Sequence, residues 1–146
     1  MQFQALNRAD AEKVFIGVRN ISAATVSAGA PVEWDVVSVT DGNSVSALRS
    51  GTLAGLFAGI ADAALADSAY GRIQVYGFRT SAWVSAASAG NVPGTWLGAG
   101  FSGVLTDLTT SAAGVSGYHQ VCLMETVGAA AGASAAAQYN VMIKAM

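Results

Sequence analysis

The stretch Tyr70–Phe78, YGRIQVYGF, decides the fold class. Ile73, Val75 and Gly77 recur at every second position, and the residues between them are polar or aromatic. Successive side chains of a strand point to opposite faces of a sheet, so this period predicts a β-strand with one apolar face. The opposite face carries Arg72, Gln74, Tyr76 and Phe78. The run Arg79–Ser85 extends the predicted strand past a kink at Gly77.

Short runs of the same kind occupy most of the remaining chain and are separated by Gly, Ser, Asn and Asp. Leu53–Leu65 has the alanine and leucine content of a helix, but Gly55 and Gly59 would each cost a helix about 1 kcal/mol relative to alanine. We therefore interpret it as a strand. The other predicted strands are Val14–Arg19, Val32–Val39, Trp96–Leu105, Tyr118–Glu125 and Gln138–Lys144.

Together these runs predict an all-β protein, a compact sandwich or barrel of about seven or eight short strands. The chain has 146 residues, a length that fits a single β domain over residues 1–146. Residues 1–12 are polar and precede the first predicted strand, so we expect an extended N-terminal arm there.

The composition indicates an oligomer. Apolar residues make up 53% of the chain and charged residues only 11%, against about 25% charged in an average soluble domain. Such a chain has apolar surface to bury and is not disordered. We expect other subunits to cover much of its weakly charged surface. Large side chains are the predicted contacts: Phe3 and Leu6 in the arm, with Trp34, Trp83 and Trp96 as core or interface anchors.

Several partners and compartments are disfavoured by the same composition. The net charge is −2 and the basic residues are scattered, which argues against nucleic acid. The uncharged stretches 80–106 and 126–143 consist largely of small residues, which argues against a membrane span. Residues 1–13 have no apolar core of a signal peptide, and Cys122 has no partner for an internal disulfide. We therefore expect synthesis in a reducing cytoplasm.

Two patterns raise the question of enzymatic chemistry. The segment 98–103 matches the G-x-G-x-x-G dinucleotide pattern, but the strand–turn–helix context that this pattern requires is missing, so we interpret it as a turn. His119 is the only histidine, and a Ser-His-Asp triad would depend wholly on it. No serine lies in a G-x-S-x-G motif, so we interpret His119 as an ordinary strand residue.

Other polar residues have simpler structural interpretations. We expect Cys122 to be a small buried hydrophobe, because no Lys, Arg or second Cys lies near it in the sequence. Asp62 and Asp67 fit turn chemistry better than an acid–base pair. The sequon Asn20-Ile21-Ser22 would be unmodified in a chain that is not secreted. We assign no catalytic, cofactor-binding or metal-ligating residue and expect no enzymatic activity.

Four segments share a pattern of glycine and valine spacing: the hairpin formed by Leu56–Asp62 and Ala69–Gly77, the turn Val26–Val32 and the closing strand Tyr139–Met146. In this pattern the chain resembles small structural proteins of tailed-bacteriophage heads. The resemblance implies a head decoration, or cement, protein. Such a protein is a β-rich unit, often a homotrimer, that sits on the outer capsid surface of the virion and bridges major capsid protein subunits.

Alternative functions remain open at this point. Within a virion, the chain could be a tail-tube, head-completion or fibre-base component. From other classes, it could be a cellular β-sandwich binding module or a hydrolase that uses His119. A monomer with a ligand pocket would favour the binding module, and turnover lost in His119→Ala would favour the hydrolase.

Overall fold

The computed structural model describes residues 12–36, 42–47, 56–85, 92–99, 103–107, 121–125 and 136–145. The described residues form nine strands and no α-helix. The strands are β1 (Lys13–Asn20), β2 (Pro31–Trp34), β3 (Ser44–Ala47), β4 (Phe57–Ala61), β5 (Tyr70–Ser85), β6 (Trp96–Ala99), β7 (Leu105–Asp107), β8 (Val121–Leu123) and β9 (Ala136–Lys144). Within these ranges, no helix is long and apolar enough to cross a bilayer.

The strand pairings close two rings that share β5. Strands β1, β3, β2 and β4 pair in that order, and β5 joins β4 back to β1; these five strands form ring one. Strands β7, β6, β8 and β9 likewise pair in that order. Strand β5 pairs with both β7 and β9, and these five strands form ring two. Each ring has one parallel pair, β1–β3 in ring one and β5–β7 in ring two, and its other pairs are antiparallel.

Strand β5 serves both rings because it is long and changes its partner near Gly77. It has 16 residues. Its pairing with β1 ends at Gly77, opposite Lys13, and its pairing with β9 begins at Tyr76, opposite Lys144. Gly77 has a φ of +99°, and a Cβ there would lie 1.9 Å from the carbonyl oxygen of Glu12. Only glycine fits this position.

Each ring has its own apolar core. The core of ring one consists of Val18, Val26, Ala30, Val32, Val45, Ala58, Ala61, Leu65, Ile73 and Val75. The core of ring two consists of Phe57, Ile60, Ala82, Val84, Leu97, Leu105, Val121, Leu123, Val141 and Ile143. Strand β4 contributes to both cores and is buried along its whole length. Strand β4 therefore connects the two cores.

The all-β prediction is confirmed, and the details of the strand predictions need correction. There are nine described strands where about seven or eight were expected, and β5 is not short. Strand β3 was missed because it is only four residues long and two of these are serines, although its sequence SVSA alternates polar and apolar side chains. The predicted strand Val32–Val39 is β2, which ends at Trp34, and positions 37–39 lie outside the described residues. The predicted run Trp96–Leu105 contains two strands, β6 and the start of β7.

The N-terminal arm falls almost wholly outside the described residues. Of positions 1–12, the structure describes only Glu12, whose carbonyl lies against Gly77. The extended arm over residues 1–12 therefore stays a prediction.

Candidate interaction surface

A row of apolar side chains crosses the outer face of ring two. In the strand register, Trp96 on β6 lies opposite Cys122 on β8. Cys122 lies opposite Met142 on β9, and Met142 lies opposite Phe78 on β5. Residues directly opposite each other on neighbouring strands share a face, so these four side chains form one continuous row. We call Trp96, Cys122, Met142 and Phe78 the apolar row.

The row faces outward because the alternate residues of the same strands fill the core. Leu97 on β6 is fully buried, as are Leu123 on β8 and Ile143 on β9. Their neighbours in the chain must then point away from the core. Trp96 is 41% exposed and Met142 is 38% exposed, whereas Cys122 and Phe78 are half-buried.

Further apolar and charged groups border the row. Met124, two residues after Cys122, is 47% exposed, and Val92, in the turn before β6, is 61% exposed. Along β9, exposed Lys144 lies two residues beyond Met142 on the same face. On the other side, Glu125 accepts hydrogen bonds from the backbone N–H and side-chain Nδ2 of Asn140. The row therefore has a cation on one flank and a carboxylate on the other.

Cys122 does not occupy the position that the sequence suggested. We expected a buried thiol, but Cys122 is half-buried and belongs to the outward side of β8. The alternation of the strand explains the difference, since its neighbours Val121 and Leu123 take the inward positions. Met142 and Phe78 were not singled out from sequence as contact residues. The alternation in the terminal strand could have identified Met142. Val141 and Ile143 are the apolar residues of the inward face, so Met142 between them must lie on the outward face.

The other two predicted tryptophans lie in ring one or beside it. Trp34 and Trp83 are half-buried and pack against the core of ring one. The indole N–H of Trp83 donates a hydrogen bond of 3.0 Å to the carbonyl of Ala28. Trp83 also lines an open cleft of about 480 Å³ with Pro31, Ala47, Val104 and other residues. Trp34 borders a smaller groove of about 250 Å³.

A buried charged network lies at the bend of β5, around Gly77 with its φ of +99°, and is structural. The guanidinium of Arg79, which is 7% exposed, donates a hydrogen bond of 2.8 Å to the carbonyl of Ala61. Its Nη1 lies 3.7 Å from Asp62 and 3.5 Å from Gln74 Oε1. The Nε2 of Gln74 donates in turn to the carbonyls of Tyr76 and Phe78 on either side of Gly77. These bonds satisfy backbone groups at the bend, so the network holds the bend in place.

Burial lowers the pKa of Arg79 below the ordinary value of arginine, and the nearby carboxylate of Asp62 opposes this effect. Asp62 also forms an ion pair of 2.8 Å with Arg72, whose side chain is 68% exposed. The carboxylate of Asp62 is thus shared by two arginines. Asp67 accepts a hydrogen bond from the backbone N–H of Ala23, a residue with a φ of +58°. Asp67 therefore fastens a turn of a distant segment, whereas the carboxylate of Asp62 pairs with arginine side chains and not with its own backbone, as turn chemistry would require.

The sequon asparagine is a buried hydrogen-bonding centre. Asn20 is fully buried, and its Nδ2 donates to the carbonyls of Ala24, Leu65 and Ala66. Its Oδ1 accepts from the backbone N–H and the hydroxyl of Ser22. A glycan on Nδ2 would break all three donated bonds, so this sequon cannot be glycosylated in the folded chain.

Several predicted residues lie outside the described ranges. They are Phe3 and Leu6 of the arm, His119 of the hydrolase alternative, and positions 100–102 of the G-x-G-x-x-G segment. Among the residues that the structure does describe, no group of three or more His, Cys, Asp or Glu side chains could hold a metal ion.

Comparison with known proteins assigns no relative. No protein-family model matches the chain, and no curated protein matches it.

Proposed function

We propose that this chain is a structural virion protein, a capsid decoration subunit that stabilises a phage head by bridging major coat subunits. The subunit works as a homo-oligomer, and the family resemblance predicts a trimer on the outer surface of the capsid. Its function is to form contacts, and catalysis plays no part in it. The observation that carries the proposal is the apolar row on the outer face of ring two.

The row supports a contact function because it contains the residue types that anchor interfaces. Tryptophan is among the residues most enriched at interface hot spots, and methionine adapts to irregular partner surfaces. Exposed Met142 and Met124 stand beside Trp96 on one side of the molecule. Single exposed apolar residues need no explanation, but a continuous patch of them marks an interaction site.

The closed rings explain why the contacts would use faces and not strand edges. Every described strand pairs on both sides along part of its length. A strand edge that is already paired offers few free N–H and C=O groups to another chain. Association through side chains on the ring surface, or through segments beyond the described strands, is therefore the available route.

Repetition would give such modest contacts their effect. A standard interface buries roughly 800 Å² per partner, and apolar burial is worth about 25 cal/mol per Å² before the costs of association. If all of that area were apolar, its burial would be worth on the order of 20 kcal/mol per partner, and the costs of association leave only a part of this to each contact. A decoration protein repeats it over a whole shell, and each subunit that binds two coat neighbours resists their separation.

The cleft beside Trp83 favours a second candidate, a β-sandwich binding module. The cleft has the volume of a small-molecule site and an apolar lining that includes Trp83, Val26 and Pro31. A binding module of this kind would be a monomer in solution and would bind its ligand without a virion. The mass of the purified chain separates the two candidates.

The deciding experiment compares phage particles with and without this chain. Particles that lack the chain are expected to release their DNA at a lower temperature or under a milder osmotic shock. Adding the purified chain to these particles should restore its band on a gel of the particles. It should also restore their resistance to heat and osmotic shock. The proposal fails if the chain is absent from purified particles, or if its loss leaves resistance unchanged.

A further inference from the structure

We infer that the apolar row is the contact surface for a second copy of this chain, related to the first by a twofold axis that runs parallel to the row. This inference rests on the proposed function, since it names the partner of the surface that carries it. The contact is separate from the threefold contact that the family resemblance predicts. It would join two subunits that belong to neighbouring trimers.

The charges that flank the row indicate a copy of the same chain. Lys144 stands on one flank of Met142, and the carboxylate of Glu125 stands near Asn140 on the other. A surface that carries both signs on opposite flanks is complementary to itself. In a twofold interface, a contact between one residue of the first copy and another residue of the second is repeated with the two copies exchanged. A surface with opposite charges on its two flanks can form such a pair of contacts with itself.

The same charges select the direction of the axis. An axis parallel to the row exchanges the two flanks, so Lys144 of each copy lies opposite Glu125 of the other. An axis parallel to the strands leaves the flanks in place and sets Lys144 against Lys144. Like charges in contact disfavour the second arrangement. With the first arrangement, each residue of the row lies opposite itself, and the two Cys122 thiols face each other near the centre.

The row is too small to form the contact alone, so exposed apolar residues beside it must take part. Four strands spaced about 4.8 Å apart give a row about 14 Å long. A single row of this length covers far less than the roughly 800 Å² per partner of a standard interface. Exposed Met124 and Val92, which border the row, extend the apolar surface on the side of Glu125. The predicted contact therefore includes both, with Trp96 as its largest anchor.

Cys122 provides a direct test because it is the only cysteine in the chain. Packed sheet faces lie about 10 Å apart, which is too far for a disulfide but within reach of a short bismaleimide. We expect this reagent to convert nearly all of the wild-type protein into covalent dimers. Cys122→Ala should give none. If crosslinked dimers level off at two thirds of the chains, the thiols meet around a threefold axis and the inference is wrong.

Two pairs of variants test the surface without removing the thiol. Met142→Glu places a charge in the row and should raise the dissociation constant of the contact by about tenfold or more. Its control is Tyr70→Glu, which adds the same charge at a side chain that is 78% exposed on the ring-one part of β5. Lys144→Glu should raise the constant by about fivefold, whereas Lys13→Glu on β1 should leave it unchanged.

Native mass and crosslinking together overturn or support the inference independently of the proposed function. An even-numbered wild-type oligomer that Met142→Glu halves would support it. A monomeric wild type, or an oligomer whose thiols do not crosslink, would overturn it even if the chain still protects phage particles. Conversely, efficient crosslinking by a chain that is absent from particles would leave the twofold contact standing and refute the decoration function.

Discussion

Ring one and ring two have the same strand pairing plan but are held together differently. In ring one, side chains bind backbone groups of distant loops: Asn20 ties the segment after β1 to Leu65 and Ala66, and Asp67 binds the N–H of Ala23. In the described part of ring two, Glu125 and Asn140 form the corresponding link. Short strands occur in both rings: β2 and β3 have four residues each, and β6, β7 and β8 have three or four.

The difference indicates a division of roles between the rings. Buried hydrogen bonds to backbone carbonyls fix loops in one arrangement, and ring one has several of them. Ring two depends on its apolar core for cohesion and also presents apolar side chains outward, in the row of Trp96, Cys122, Met142 and Phe78. Ring one thus acts as the scaffold, and ring two offers the surface for partners.

The strand that the rings share should be the most sensitive point. Gly77→Val would place a Cβ against the carbonyl of Glu12 at a φ that valine rarely adopts. We expect the free energy of unfolding to fall by about 4 kcal/mol. Gly17→Ala on β1 is the control, because a Cβ there meets nothing within 4 Å. Denaturant unfolding measures both variants, and equal effects would show that β5 does not bend as described.

Two asparagines test whether ring one is more tightly cross-linked than ring two. Asn20→Ala removes all the hydrogen bonds that the buried Nδ2 donates to the carbonyls of Ala24, Leu65 and Ala66, so we expect a loss of about 3 kcal/mol. Asn140→Ala removes one half-buried bond to Glu125 and should cost about 1 kcal/mol or less. Chemical denaturation of the two variants gives the comparison. A larger loss in Asn140→Ala would reverse the roles assigned to the rings.

Two arginines that share Asp62 give the smallest expected effect. Arg79→Met removes the buried donor to Ala61 and should lower the free energy of unfolding by about 2 kcal/mol. Arg72→Met removes an exposed ion pair and should change it by about 0.5 kcal/mol or less. Thermal unfolding at matched pH and salt compares them. Similar losses in both variants would show that the bend of β5 does not depend on the buried guanidinium.

The sequence predicted the type of most elements because a period of two leaves a direct mark on the chain. Tyr70–Phe78 and the terminal strand could be identified from that period alone, and both are strands. Strand β3 was missed although it alternates in the same way, because it has only four residues and its two serines, which neighbouring strands bury, give no apolar signal. Trp34, Trp83 and Trp96 were identified as large anchors. Their division between the two rings depended on contacts that no local pattern records.

The amino-acid sequence by itself determined that this is a β protein with little charge and with small residues at its turns, because alternation and composition are local properties. Tertiary structure alone decided that β5 closes two rings, that Gly77 must be glycine and that Cys122 faces outward between Trp96 and Met142. Those facts depend on which strands pair and in which register. Pairing joins residues that are far apart in the chain, so no local pattern determines it. The pairing and register are set by the requirement that both apolar cores be buried.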